Sequence, residues 1–297
     1  MMRLPDLLRL LALAAIWGCS YLFIKIALDG FTPLQIVGGR IAAGAVTLLT
    51  ILWVRKISLP SDSQTWRRLL LMAVVANLLP FFLIAWGETY VSSALASILN
   101  STTPLFTALF AAWLLPSERM NLMRAAGVAL GFVGVGVVVG IESEGRLIAQ
   151  LAIVGASFLY GIGFTYSKKY LTDTGAEPLS LPAAQLILGS ALMVPLVGVE
   201  SSAPSFGIAE TAALGFLGVF GTGIALFLYY RLIRDVGPTT ASFSTYLIPV
   251  FGVVAGRIVL DERLGWNALF GGLLVMAGLT LAERGLRRRA LEMSRVG

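Results

Sequence analysis

Residues 117–134 read SERMNLMRAAGVALGFVG, and residues 261–278 read DERLGWNALFGGLLVMAG. Superposed, they match Glu118 with Glu262, Arg119 with Arg263, Gly127 with Gly271 and Gly134 with Gly278. Such a self-match decides how often the folding unit occurs, so it precedes any motif search. Working outward, LNSTTP (99–104) falls opposite STYLIP (244–249), which aligns Pro104 with Pro249. TPLQIVGGRIAAG (32–44) falls opposite EPLSLPAAQLILG (177–189), pairing Pro33 with Pro178 and Arg40 with Gln185. WGCSYLFIK (17–25) lies over YGIGFTYSK (160–168). The matches keep one order, which predicts a duplicated chain with units over 1–140 and 141–297.

The composition says where such a chain lives. Of 297 residues, 57% are hydrophobic and 13% charged, against roughly 25% charged in soluble domains. Ten apolar stretches, near 8–28, 33–54, 68–87, 92–115, 121–140, 147–168, 179–198, 207–230, 238–260 and 265–283, are each long enough to cross a hydrocarbon core of ~30 Å as a helix. The short connectors leave no room for a soluble domain. Arg3 and Arg9 before an apolar run imitate a secretory signal, but Arg9 interrupts the run and the run continues to Leu28, so it reads as a retained first span.

Each unit then holds five spans, an odd number, so the second unit is expected to be inverted relative to the first. Inverted repeats place substrate near the midplane between the halves. With the N-terminus inside, 17 of the 22 basic residues fall on the cytoplasmic side; the exceptions are Lys25, Arg40, Arg146, Arg257 and Arg263. The expected fold is therefore an all-α polytopic membrane protein. It has ten transmembrane helices as two inverted five-helix repeats, both termini cytoplasmic, and a basic C-terminal tail.

The same counts exclude whole classes of function. The net charge of +6 is scattered through connectors rather than gathered on a stripe, so no nucleic-acid partner is expected. Cys19 is the single cysteine and there is no histidine, which removes disulfides, thiolate metal sites and the commonest general base. No metal, cofactor or enzymatic activity is expected, because an intramembrane hydrolase needs a histidine, a carboxylate pair or a metal within its spans.

At AIWGCSYLFIK (15–25), PLQIVGGRIAAG (33–44) and the Glu-bearing connector plus Gly-rich helix ending each half, the chain resembles the EamA-type branch of the drug/metabolite transporter superfamily. The resemblance covers the whole chain. It implies a transporter built from two inverted five-helix repeats, and it leaves the substrate open, since relatives carry amino acids, sugars, nucleotide sugars and other metabolites. Amino-acid exporters of the YddG kind are the relatives it points to. The implied protein is a secondary exporter of amino acids or similar small metabolites in a bacterial cytoplasmic (inner) membrane. Its partners are a small-molecule substrate and the lipid bilayer, and a monomer is favoured. A nucleotide-sugar, sugar or other metabolite carrier of the same fold, or a passive facilitator, is the alternative. Small multidrug exporters of related architecture use a first-span carboxylate for proton exchange; residues 11–19 offer none.

Charged, aromatic and amide residues within spans supply the candidate site. A charge at the bilayer centre costs about 2.5–3.5 kcal/mol on insertion scales, so one that cannot reach the interface marks a site. Arg40 follows Pro33 by seven residues, which puts it roughly 10 Å down its helix at ~1.5 Å per residue. It either snorkels to the headgroups or faces a central cavity. Lys25, Glu88 and Arg257 form, with Arg40, a set in the outer half of the spans, and Glu88 is placed to pair with any of the three. Lys25 and Arg257 are nearer the span ends, where snorkelling is the simpler account.

Trp17 and Tyr21 share a helix face that Tyr160 and Phe164 repeat. Ring faces suit an ammonium group and arginine a carboxylate, a pairing that fits a zwitterion, although such stripes also serve helix packing. Asn77, Asn100 and Tyr246 either line a cavity or glue helices together. The hydroxyls of Ser92, Ser93, Ser97 and Ser101, and of Thr239, Thr240, Ser242, Ser244 and Thr245, fit a polar lining. Pro104 and Pro249 are the symmetric hinge candidates. The glycines at 127, 131, 134, 136, 140, 271, 272 and 278 read as packing surfaces, and Glu118 and Glu262 as favourable charges at the starts of the fifth and tenth helices.

Overall fold

The structure is a computed structural model and describes residues 3–139, 144–172, 174–236 and 243–293. All regular elements among them are helical. Ten helices traverse the bundle: α1 Leu4–Ala27, α2 Pro33–Arg55, α3 Ser63–Glu88, α4 Ser93–Leu114, α5 Leu122–Val139, α6 Glu144–Tyr170, α7 Ser180–Gly198, α8 Ile208–Val236, α9 Phe243–Val259 and α10 Trp266–Met293. Among the described residues nine are long and apolar enough to cross a membrane, and Ser244–Val259 is a shorter apolar helix. Thr239, Thr240, Ser242, Gly140, Arg295 and the 140/141 junction lie outside the described residues, as do the side chains of Arg287, Arg288 and Arg289.

Helix ends follow their local chemistry. Pro33 occupies the first turn of α2, where its missing N–H costs nothing. Thr32 and Gln35 close a reciprocal capping box there, and α2 ends at Lys56 in the left-handed region (φ 55°). Asp62 accepts from the backbone N–H of Gln64 and Thr65 at the start of α3.

α3 widens to a π turn over Val74–Leu78 directly before Pro80. Proline cannot donate to the preceding turn, and a π bulge absorbs that missing bond. α8 carries the equivalent π segment over Val219–Ile224, with Thr222 Oγ donating to Leu217 O at 2.9 Å. α4 is not the uninterrupted span the sequence suggested. It breaks at Ser101–Thr102, between segments Ser93–Asn100 and Thr103–Leu114. The hydroxyls of Ser101, Thr102 and Thr103 donate to the carbonyls of Ile98, Leu99 and Asn100, satisfying acceptors exposed by the break next to Pro104. α9 continues as helix through Pro249, so the two prolines differ in local geometry.

Exchanging the two halves maps the packing onto itself. α1 against α9 corresponds to α6 against α4, and α2 against α8 to α7 against α3; α2 packs on α7 and α5 on α10. The sequence echo sits at the crossings. A Cβ on Gly18 would meet Phe251 Cβ at 2.5 Å, and one on Gly161 would meet Phe106 Cβ at 2.7 Å. α5 and α10 run antiparallel: Gly127 lies on Ala282 and Gly278, Gly134 on Gly271. In lipid such interfaces rest on close van der Waals contact, for which small residues are needed. Gly136, grouped with these glycines by sequence, has nothing within 4 Å of a built Cβ and lies off the interface. α2 and α7 are antiparallel too, with Gly38 against Val197 and Gly44 against Leu186.

Candidate substrate site

The polar residues in the middle of the bundle collect where α1, α2, α4, α6 and α8 converge. Arg40 is buried (7% exposed), so it does not snorkel. Its Nε–H donates to Thr222 Oγ1 at 2.9 Å and Nη2 to Gly221 O at 3.5 Å, both in the π segment of α8. The guanidinium carbon lies 4.0 Å from the centroid of the Phe81 ring on α3, a cation–π contact. A guanidinium has five N–H donors; two are used, and no carboxylate lies within ion-pair distance of Arg40 among the described residues. Tyr21, Tyr160 and Glu88 are the titratable groups in its electrostatic reach.

Tyr21 and Asn100 form the next layer. Asn100 Nδ2 donates to the Tyr21 hydroxyl at 2.6 Å, and Ser157 Oγ donates to Asn100 Oδ1 at 3.1 Å. This ties α1, α4 and α6 together beside Arg40, with Asn100 on the last residue before the α4 break. Tyr160 packs on the same apolar cluster as Tyr21, stacks on Phe164 at 6.1 Å and keeps its hydroxyl without a hydrogen bond among the described residues.

The remaining candidates are placed elsewhere. Trp17 is one turn further along α1, 5.5 Å from Tyr229 of α8, and does not face Tyr160 as a pair. Asn77 is buried and accepts from Gln185 Nε2, which also donates to Met72 O at 3.2 Å. This is the repeat image of Arg40–Thr222: Gln185 aligns with Arg40, and Asn77 sits in the α3 π segment as Thr222 does in that of α8. Tyr246 donates to Glu283 Oε2 at 2.6 Å, toward α10 rather than toward Arg40.

The outer-half charge set divides. Lys25 does not snorkel and does not pair with the Glu88 carboxylate. Its Nζ donates to the backbone carbonyls of Glu88 at 2.5 Å and Val91 at 2.9 Å, capping the C-terminal end of α3, where a cation also suits the helix dipole. Arg257 stands apart at the surface, its Nη1 bonded to Asp261 Oδ1 at 2.5 Å. The Glu88 side chain, read from sequence as sitting at a span end, is fully buried (0% exposed). Glu262 caps a different helix from the one expected: it accepts from Ser93 N, Ser93 Oγ and Ala94 N at 2.9, 3.0 and 2.9 Å, so it holds the start of α4, not of α10. Glu118 meets Arg124 at 3.1 Å and Lys168 at 2.5 Å.

Sequence reasoning missed Thr222, Gly221, Gln185, Phe81 and Ser157. The first three were within reach, because the repeat offset that aligns Arg40 with Gln185 carries Asn77 onto Thr222. Nine described helices long and apolar enough to cross a membrane, with a tenth, shorter apolar helix packed among them, define a polytopic membrane protein.

The particular family follows from comparison: the chain belongs to the EamA-like transporter family, whose pattern it matches twice, over residues 5–140 and 147–283. It is 31% identical over 293 residues to the uncharacterized inner membrane transporter YedA of Escherichia coli K12, covering 92% of this chain and 89% of that one. It is 24% identical over 289 residues to the uncharacterized transporter YoaV of Bacillus subtilis, covering 95% and 98%. An uncharacterized transporter of Archaeoglobus fulgidus is 27% identical over 274 residues, with 90% and 93% covered. A solved crystal structure superposes over 96% of this chain and 100% of its own, with a TM-score of 0.69 at 17% identity, a likeness of fold alone. The protein is thus a multi-pass integral membrane transporter, not an enzyme.

Proposed function

We propose that the protein is a secondary transporter of the cytoplasmic membrane that exports amino acids or similar small carboxylate-bearing metabolites. The observation that carries this reading is Arg40, a buried guanidinium with spare donors and no carboxylate of its own among the described residues. A planar fork of that kind is suited to a carboxylate held by two parallel hydrogen bonds. Tyr21, Tyr160 and Asn100 supply ring faces and polar atoms beside it for the rest of a small substrate, and Trp17 lines the approach one turn away.

The antiparallel α2–α7 and α5–α10 pairs support an inverted-repeat reading, the two halves related by an axis in the membrane plane, and the basic connectors favour cytoplasmic termini. Alternating access then consists of rocking these halves about the Arg40 layer, with Pro104 beside the α4 break and Pro249 in α9 as the hinges. The protein acts as a monomer in this scheme.

The test is flux into liposomes holding purified protein, across amino acids, sugars and nucleotide sugars. Amino-acid flux above that of protein-free liposomes is expected. Nucleotide-sugar or sugar flux with no amino-acid flux contradicts the proposal, and flux that never responds to a counter-substrate makes the protein a channel-like facilitator.

A further inference from the structure

Glu88 is a buried acid with no hydrogen bond to hold it as an anion. Its side chain is 0% exposed, and neither carboxyl oxygen has a hydrogen-bond partner among the described residues. Lys25, Arg40 and Glu262 are the charged groups whose fields reach it, and none of them is bonded to its carboxyl oxygens. On α1, Lys25 spends two of its three donors on the backbone carbonyls of Glu88 and Val91, and the Tyr21 hydroxyl accepts from Asn100. On α2, Arg40 is engaged with Thr222, Gly221 and Phe81. Before α10, Glu262 is saturated by Ser93 and Ala94 at the start of α4. On α6, Ile153 and Ala149 pack against neighbouring Gly87, and Gln150 Oε1, on the same stretch, is another buried acceptor without a donor.

Three acceptor oxygens thus meet no donor on adjoining parts of α3 and α6. An ionised carboxylate buried without hydrogen bonds is strongly disfavoured, because it gives up its hydration and gains no donor in return. A fully enclosed side chain leaves no room for a ligand's ammonium group. The species small enough to satisfy it in this conformation is a proton, which also turns an acceptor into a donor.

We propose that Glu88 is a proton-binding site of the transport cycle, loaded in the arrangement described here, where its side chain is sealed from solvent, and unloaded when the end of α3 opens to water. Loading adds one proton to the carboxylate and unloading returns it to solvent; no other bond changes. The role in the cycle rests on the transport reading above, whereas proton binding itself does not.

Infrared difference spectroscopy of the purified, substrate-free protein between alkaline and acidic buffer tests the binding directly. The carbonyl stretch of a protonated carboxylic acid, still present in the wild type at neutral pH, is expected to be lost in Glu88→Gln and shifted in Glu88→Asp. An unchanged band in Glu88→Gln, or no such band in the wild type, overturns the assignment whatever the substrate proves to be. In liposomes, wild-type flux is expected to vary with the pH difference across the membrane and Glu88→Gln flux to lose that dependence. Equal pH dependence in both overturns the role in the cycle while leaving the substrate proposal standing.

Discussion

Replacing Arg40 by glutamine removes the charge and the planar fork but keeps an amide of comparable reach. If a substrate carboxylate takes the unused N–H groups, the variant loses a charge-assisted hydrogen bond worth about 1.5–3 kcal/mol. At 1.4 kcal/mol per decade, that raises the half-saturation concentration about 10- to 150-fold. Arg40→Lys keeps the charge without the fork and is expected to fall between the two. Some stability is lost as well, because the Thr222 bond and the Phe81 contact go with the guanidinium; the first is worth about 0.5–1.5 kcal/mol. Counterflow of labelled amino acid in liposomes, at matched amounts of correctly inserted protein, separates affinity from yield. An Arg40→Gln variant that inserts normally and keeps the wild-type half-saturation concentration refutes the role given to Arg40 and leaves it a packing residue between α2, α3 and α8.

Further outcomes follow from single contacts. Lys25→Met strips the cap from two carbonyls at the end of α3 and is expected to cost about 1–3 kcal/mol for each buried acceptor left alone, read as a fall in apparent Tm in detergent. Arg257→Met, at an exposed pair, is expected to leave that midpoint unchanged. Gly127→Ala drives a Cβ to within 2.3 Å of Ala282 N and 2.6 Å of Gly278 O, so the variant is expected to lose about 1–3 kcal/mol of α5–α10 packing; Gly136→Ala, with open space, is expected to be neutral or stabilising. At the other end of the membrane span, backbone N–H donors from Thr65 first, then the Thr65 hydroxyl and Gln64, hold the Asp62 carboxyl below the usual carboxylate range. A lowered folded value means its stabilising effect is complete above the unfolded pKa of about 3.9 and fades as pH falls through the folded value. The gap in apparent Tm between wild type and Asp62→Ala is therefore expected to be constant from neutral to mildly acidic pH and to close only below about pH 4.

Much of the architecture was legible because the apolar runs and the self-match each report on a property of the whole chain. Nine described membrane-length helices, one shorter apolar helix and a family pattern matched twice needed no long-range contact to be seen. The site was legible in part. Arg40 stood out as a charge within a span, with snorkelling and a central cavity both open, while its alignment with Gln185 was read only as a sign of the repeat. What those positions grasp was hidden, since the π segments that present Thr222 and Asn77 depend on how each helix accommodates Pro80 or its glycines.

The outer charges were misjudged for a different reason. Position along an apolar run gives depth in the membrane but not burial within the bundle. Lys25 and Glu88 look alike on that scale, yet one caps a helix and the other is sealed without a partner. Glu262 illustrates the same limit: a carboxylate beside one helix start can serve another 169 residues away, and nothing local in sequence distinguishes the two.

The most direct measurement compares, in one preparation of wild-type liposomes, flux of a transported amino acid with flux of its carboxamide, which keeps the ammonium group, side chain and size but lacks the carboxylate. An Arg40-centred site predicts transport of the acid at least about tenfold better than the amide, the equivalent of 1.4 kcal/mol of recognition. It also predicts that Arg40→Gln abolishes the difference. Equal flux of acid and amide through the wild type contradicts the account.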